Sequence, residues 1–189
     1  MAENDEALAG MKVAVLATDG VNEAEIVEPM SALKQAGADV SVIAPHDGEI
    51  VSMMQFDQKQ PIPVDRVLNE VDSDEYDALL LPGGGLNADK LRVEPKAQQF
   101  VQEFDAREKP MAVICHAPWL LVSAGIVKNR RLTSFHTIQD DIRNAGGEWV
   151  DQEVATDKNW VTSRKPDDIP AFNQAMIELF MKGKSPSAE

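Results

Sequence analysis

The sequence predicts an α/β protein built on a mostly parallel sheet. Three observations carry this. Short, continuous apolar runs recur along the chain, as expected of strands covered on both faces. Stretches with apolar residues at helical spacing stand between them. A strand, helix, strand unit opens the chain, and such units join parallel strands. The 189 residues and 43% hydrophobic content suffice for one domain with a substantial core and fall short of two ordinary ones.

Residues 1–10 read as a flexible N-terminal arm. Residues 11–17 (MKVAVLA) form a buried strand. Residues 23–36 follow as a helix, with Ile26, Val27, Met30 and Leu33 on one face and Gly37 as its stop. A second strand spans 39–44 (DVSVIA). The stretch 45–75 is irregular, with Gly48, Pro61, Pro63 and a short strand at 49–53. Residues 77–81 (DALLL) are a core strand that runs into Pro82-Gly83-Gly84-Gly85. A helix fits 95–107, with Ala97, Phe100, Val101 and Phe104 on one face and Pro95 near its start.

Residues 111–114 (MAVI) are another buried strand, leading straight into Cys115-His116-Ala117-Pro118. Pro118 suits the first turn of a helix that continues to Gly125. A strand at 131–134, a helix at 137–144 and a turn at Gly146-Gly147 come next. Residues 148–150 and 160–163 are strands. The last helix spans 168–181, with Phe172, Met176, Leu179 and Phe180 inward. Without a repeat, a low-complexity tract or a linker, residues 11–183 make one domain, and 184–189 a flexible tail.

The formal net charge of −14 repels phosphate backbones and anionic lipid, so neither nucleic acid nor membrane is an expected partner. Apolar runs stay far below the ~20 residues that span a bilayer. The acidic start MAENDEALAG has no signal-peptide character, and the expected compartment is the cytoplasm. A single cysteine excludes an intrachain disulfide and a Cys-x-x-Cys pair. It is either a buried inert thiol or a reactive one.

Ligands of open α/β sheets bind at the carboxyl ends of strands. Three ends stand out here. The first leads into Thr18-Asp19-Gly20-Val21-Asn22-Glu23-Ala24-Glu25, the third into the triple glycine, the fourth into Cys115-His116. A parallel sheet brings them to one edge. Cys115 at a helix start gains from the partial positive charge there, which favours its thiolate. Main-chain N–H groups after such a turn can face a developing oxyanion. Gly84 and Gly85 let a second segment approach closely. Adjacent residues point apart, so pairing Cys115 with His116 requires a sharp turn. A Glu25 carboxyl buried against the sulfur would hold its proton and donate it in a hydrogen bond.

Other chemistries fit poorly. Gly83-x-Gly85-x-x-Ala88 matches a loose dinucleotide fingerprint, but it follows the wrong strand, and no acid ends the next one. No cofactor is expected. His46, His116 and His136 are scattered, so no metal is expected either.

The motifs at 17–25 with Pro29, Leu80-Leu81-Pro82-Gly83-Gly84-Gly85, and Ala112-Val113-Ile114-Cys115-His116-Ala117-Pro118 together resemble the ThiJ/PfpI family. That family lies within the class I glutamine amidotransferase-like superfamily. The resemblance covers residues 12–183, and the stretch 161–172 (VTSRKPDDIPAF) is similar to the PfpI-type and general-stress-protein branch. It implies a flavodoxin-like three-layer sandwich, assembled as a homodimer or higher homo-oligomer. It implies a Cys115 nucleophile with Glu25 touching its sulfur, and a Cys-His-acid arrangement whose acid comes from a neighbouring subunit. By position that acid is Asp89. Backbone N–H groups of Gly84 and His116 would form the oxyanion site. The implied activity is a stress-protective cysteine hydrolase of the deglycase, glyoxalase-like or peptidase kind, acting on a small carbonyl or glycated substrate. The alternative is an oxidative-stress sensor or chaperone-like protein that uses Cys115 oxidation without turnover.

Overall fold

The computed structural model describes residues 6–183. The chain opens with β1 (Lys12–Leu16), the short β2 (Val21–Asn22), α1 (Glu23–Gln35) and β3 (Asp39–Ala44). A hairpin of β4 (Glu49–Met54) and β5 (Asp57–Pro63) follows, then β6 (Arg66–Val67) and β7 (Ala78–Leu81). Helices α2 (Gly85–Leu91) and α3 (Pro95–Ala106) lead to β8 (Met111–Ile114) and α4 (Pro118–Ser123). The chain continues through β9 (Arg131–Leu132), α5 (Gln139–Asn144), β10 (Glu148–Trp149), β11 (Val154–Asp157), β12 (Trp160–Ser163) and α6 (Ile169–Gly183).

The central sheet has seven strands in the order β11-β12-β8-β7-β1-β3-β6. Every pairing in it is parallel except β11 with β12. Period-two alternation decides the layers. Val13, Val15, Leu80, Ala112, Ile114 and Val161 point to one side, where Ile26 and Leu33 of α1 and Phe172, Met176 and Phe180 of α6 cover them. Ala14, Leu16, Leu79, Leu81, Met111 and Val113 point to the other, under Phe100, Val101 and Phe104 of α3 and Leu120 and Leu121 of α4. The result is the expected flavodoxin-like three-layer sandwich. Parallel pairing carries the carboxyl ends of β1, β7, β8 and β12 to one edge.

The structure adds elements that the sequence pattern hides. The irregular stretch contains a complete hairpin, and β2 joins β4 to make a separate three-stranded sheet. Strand β5 (DQKQPIP) is almost wholly exposed, so it shows no apolar alternation. Its two prolines are tolerated because it is an edge strand. Helix α2 starts directly on the last of the three glycines, and β11 pairs back on β12.

The expected arm is docked over residues 6–10. Leu8 is fully buried, and its N–H donates to the Ala36 carbonyl at 2.8 Å. Residues 1–5 of that arm, and the tail at 184–189, lie outside the described residues.

Candidate active site

Cys115 follows the last residue of β8 with φ +64°. Side chains pay for this left-handed conformation, about 1–3 kcal/mol for a non-glycine residue, and it persists where surrounding bonds dictate it. The bonds are present on both sides. The Cys115 N–H donates to the Ser163 carbonyl at 3.0 Å, and the Cys115 carbonyl accepts from Phe135 N–H at 2.8 Å. This is the sharp turn that pairing with the adjacent histidine requires. His116 Nδ1 comes to lie 3.1 Å from Cys115 Sγ.

The glycines at the end of β7 make room for the cysteine. A Cβ on Gly83 would fall on the Glu25 carboxyl and on Cys115 Cβ. Gly84 has φ +97°, and a Cβ there would strike the Gly20 carbonyl. Close approach therefore falls at Gly83 and Gly84, not at Gly84 and Gly85 as expected; a Cβ on Gly85 would make only ordinary contact with the His116 ring, at 3.9 Å.

Asn87 holds this loop from within. It is fully buried, its Nδ2 donates to the carbonyls of Pro82 and Gly83 at 3.0 Å, and its Oδ1 accepts from Thr18 N–H at 2.8 Å. It thereby ties the ends of β1 and β7 together. Asn22 does the same for α1: its side chain accepts from Glu25 N–H at 3.3 Å, and its own N–H donates to the Gly83 carbonyl at 3.2 Å.

Glu25 stands in the first turn of α1, fully buried. Its polar neighbours are the Cys115 sulfur and the Gly83 main chain, and neither carboxyl oxygen has a well-formed hydrogen bond among the described residues. Burial raises its pKa to about 7.

Cys115 is pushed up as well, by burial first and by the facing Glu25 carboxylate second. The contact is unequal: the carboxylate raises the thiol, whereas the hydrogen bond from the thiol lowers Glu25 against the larger effect of burial. The lowering expected from a helix dipole does not prevail. Helix α4 has only six residues and starts three positions later, at Pro118. What favours the sulfur anion instead is a pair of main-chain groups, the N–H of Gly84 and of His116, directed at it.

The His116 ring stacks on Phe135 at 4.7 Å and meets the edge of Trp119 at 5.6 Å. Burial, then the nearby His136, hold its pKa below the ordinary value, which leaves the imidazole neutral at pH 7. Thr137 Oγ1 lies 3.4 Å from its Nε2. Asp89 is exposed on α2, and no hydrogen bond or ion pair joins it to His116 within the chain. Of the expected residues, then, the fold gathers Cys115, His116, Glu25 and Gly84, and leaves Asp89 at the surface.

A cavity of about 660 Å³ opens over Cys115. Glu25, Gly84 and His116 line it, together with Met53 and Phe56 of the hairpin, Leu86, Phe135 and Lys165. Sequence reasoning assigned no role to Asn87, Thr137 or Lys165. Nothing in their spacing marks them, because each meets a residue distant in the chain: Thr18 for Asn87, His116 for Thr137 and the cavity around Cys115 for Lys165.

The sequence profile of the DJ-1/PfpI family matches residues 11–179. The chain belongs to the DJ-1/PfpI family. Protein/nucleic acid deglycase 2 of Escherichia coli (strain K12) is 40% identical over 169 residues, which cover 89% of this chain and 96% of that protein. General stress protein 18 of Bacillus subtilis (strain 168) is 39% identical over 174 residues, 92% of this chain and 99% of that protein. Among solved structures, Schizosaccharomyces pombe DJ-1 matches with a TM-score of 0.79 at 26% identity, over 89% of this chain and 90% of that one. Membership in the DJ-1/PfpI family accounts for the three-layer fold.

Proposed function

We propose that this protein is a stress-protective cysteine hydrolase of the deglycase type, acting on α-oxoaldehydes and their adducts with amines. One observation carries the reading: a buried carboxyl, Glu25, meets the only thiol, at a strained turn facing a cavity. Names of relatives agree, since one is a deglycase and another a general stress protein.

The chemistry follows from the protons. The Cys115 thiol holds its proton at rest, and the Glu25 carboxylate takes it as the sulfur anion forms under the N–H groups of Gly84 and His116. Sulfur attacks the aldehyde carbon, and the Glu25 proton passes to the carbonyl oxygen, giving a hemithioacetal. The same N–H groups support the oxyanion during attack. Glu25, now a carboxylate, removes the C–H proton from that carbon and returns it to the neighbouring carbonyl carbon, while the hydroxyl proton passes to that neighbour's oxygen. A thioester of an α-hydroxy acid results. Neutral His116 draws a proton from water, which hydrolyses the thioester and restores the thiol. For an amine adduct, the C–N bond breaks as the C–S bond forms, and the amine leaves with the thiol proton, relayed by Glu25.

The bounded cavity supports small carbonyl substrates over an extended peptide. We place the enzyme in the cytoplasm as a homodimer, in which Asp89 of a second copy reaches His116. Substituting Cys115→Ser tests the central claim. Methylglyoxal consumption should fall by at least about a thousandfold with thermal stability kept; unchanged turnover would remove the proposal.

A further inference from the structure

Charge in the cavity runs against charge in the chain. The formal net charge is −14, yet the cavity lining holds one carboxyl, Glu25, and one ammonium, Lys165, besides the neutral His116. Glu25 lies at the floor, against the sulfur. Lys165 follows the end of β12, where the Ser163 carbonyl holds the Cys115 N–H at 3.0 Å. Lys165, itself extended, therefore stands two residues past the bond that pins the nucleophile.

The neighbouring cation is committed elsewhere. Arg164 donates from Nε and Nη2 to the two carboxylate oxygens of Asp168, and from Nη1 to Asp151. Lys165 has a looser partner, Asp167, at 2.9 Å, with 44% and 80% of the two side chains exposed. Exposed pairs of this kind contribute little and exchange readily. An incoming anion competes on good terms for the ammonium, which has three donors.

Between the sulfur and Lys165 the lining is uncharged and largely apolar, with Met53, Phe56, Leu86, Phe135 and Pro166. A neutral three-carbon dicarbonyl would leave most of the 660 Å³ empty.

Resting on the thiol chemistry above, we propose that Lys165 determines specificity: the site takes α-oxoaldehydes, free or as adducts, that carry a carboxylate or phosphate away from the reacting aldehyde. The aldehyde meets Cys115, the carbon chain crosses the apolar wall, and the anionic end displaces Asp167 from Lys165. The covalent steps are unchanged.

Two reagents of equal size and different charge test this without turnover. Iodoacetate and iodoacetamide both alkylate the single cysteine. Lys165→Met should lower the iodoacetate-to-iodoacetamide rate ratio roughly five- to tenfold, Lys165→Arg should restore it, and high salt should erase the difference. A second arm compares kcat/KM for dioxovalerate, which bears a carboxylate, and for phosphorylated hydroxypyruvaldehyde, each relative to methylglyoxal. Either ratio should fall about tenfold in Lys165→Met, through KM, and the larger fall identifies the anion. Ratios unchanged by Lys165→Met overturn the subsite. A shifted alkylation ratio in a protein that consumes none of the three compounds keeps the subsite and overturns the reaction.

Discussion

Two buried ionisable groups lie at opposite edges of the sheet and are treated in opposite ways. At the edge where the strands begin, Arg130 is 7% exposed. Its guanidinium donates to Asp105 at 2.7 Å, to the Asp157 carboxylate at 2.6 Å and to Asn159 at 3.1 Å, and lies 3.6 Å from the Trp160 ring centroid. At the edge where the strands end, Glu25 is more deeply buried and lacks a well-formed hydrogen bond. Burying a charge is costly unless it is paired. Arg130 is saturated, so its burial serves assembly. Glu25 is left to hold a proton that a neighbouring sulfur can use, so its burial serves reactivity.

The largest effect that separates the two edges belongs to Arg130. Arg130→Ala strands Asp105 and Asp157 and should cost about 3–5 kcal/mol in urea unfolding. The alkylation rate of Cys115 in the folded protein should stay the same. A coupled loss of alkylation would show that the two edges are not independent.

Glu25→Gln comes next and acts through pH. Glu25 is raised from 4.5 to about 7 in the fold, so the folded protein holds the proton more tightly than the unfolded chain. That stabilisation is complete below the unfolded value, declines as pH rises through the window between the two, and is gone above about 7. At ~1.36 kcal/mol per pKa unit it amounts to on the order of 3 kcal/mol. Unfolding midpoints at about pH 5 and about pH 8 should differ in the parent and nearly coincide in Glu25→Gln, whose turnover should be lost. A parent without that slope would mean that Glu25 is ordinary.

Asn87→Ala tests a saturated group set beside the unsaturated one. It leaves the Pro82 carbonyl and the Thr18 N–H unpaired and the Gly83 carbonyl with Asn22 N–H alone, and should cost about 1–3 kcal/mol by the same unfolding assay. Thr137→Val should have the smallest effect. Losing the hydroxyl near His116 Nε2 should lower kcat about two- to fivefold with KM kept. A KM change instead would place Thr137 in substrate binding.

Much of the fold was legible because it is written locally. The run VAVL has no polar interruption, which is the mark of a strand covered on both faces, and it lies within β1. The strand 39–44 and the starts of the helices at Glu23 and Pro95 coincide with the structure. The hairpin was not legible, since β5 is solvated and carries no pattern. Nor was the docking of Leu8, a lone leucine between two alanines after an acidic start. At the site, the cysteine, the histidine and the buried carboxyl were legible. The direction of the Cys115 pKa was not, because it follows from burial and from Glu25, ninety positions away in the chain.

The sequence by itself determined the layers, the parallel order and the edge where chemistry gathers, since alternation and turn residues act over a few neighbours. Tertiary structure alone decided that Glu25 rests on the Cys115 sulfur, that Asn87 clamps the glycine loop and that Lys165 reaches the cavity. Desolvation and hydrogen bonding depend on which distant segments meet, and proximity in space is not encoded in spacing along the chain.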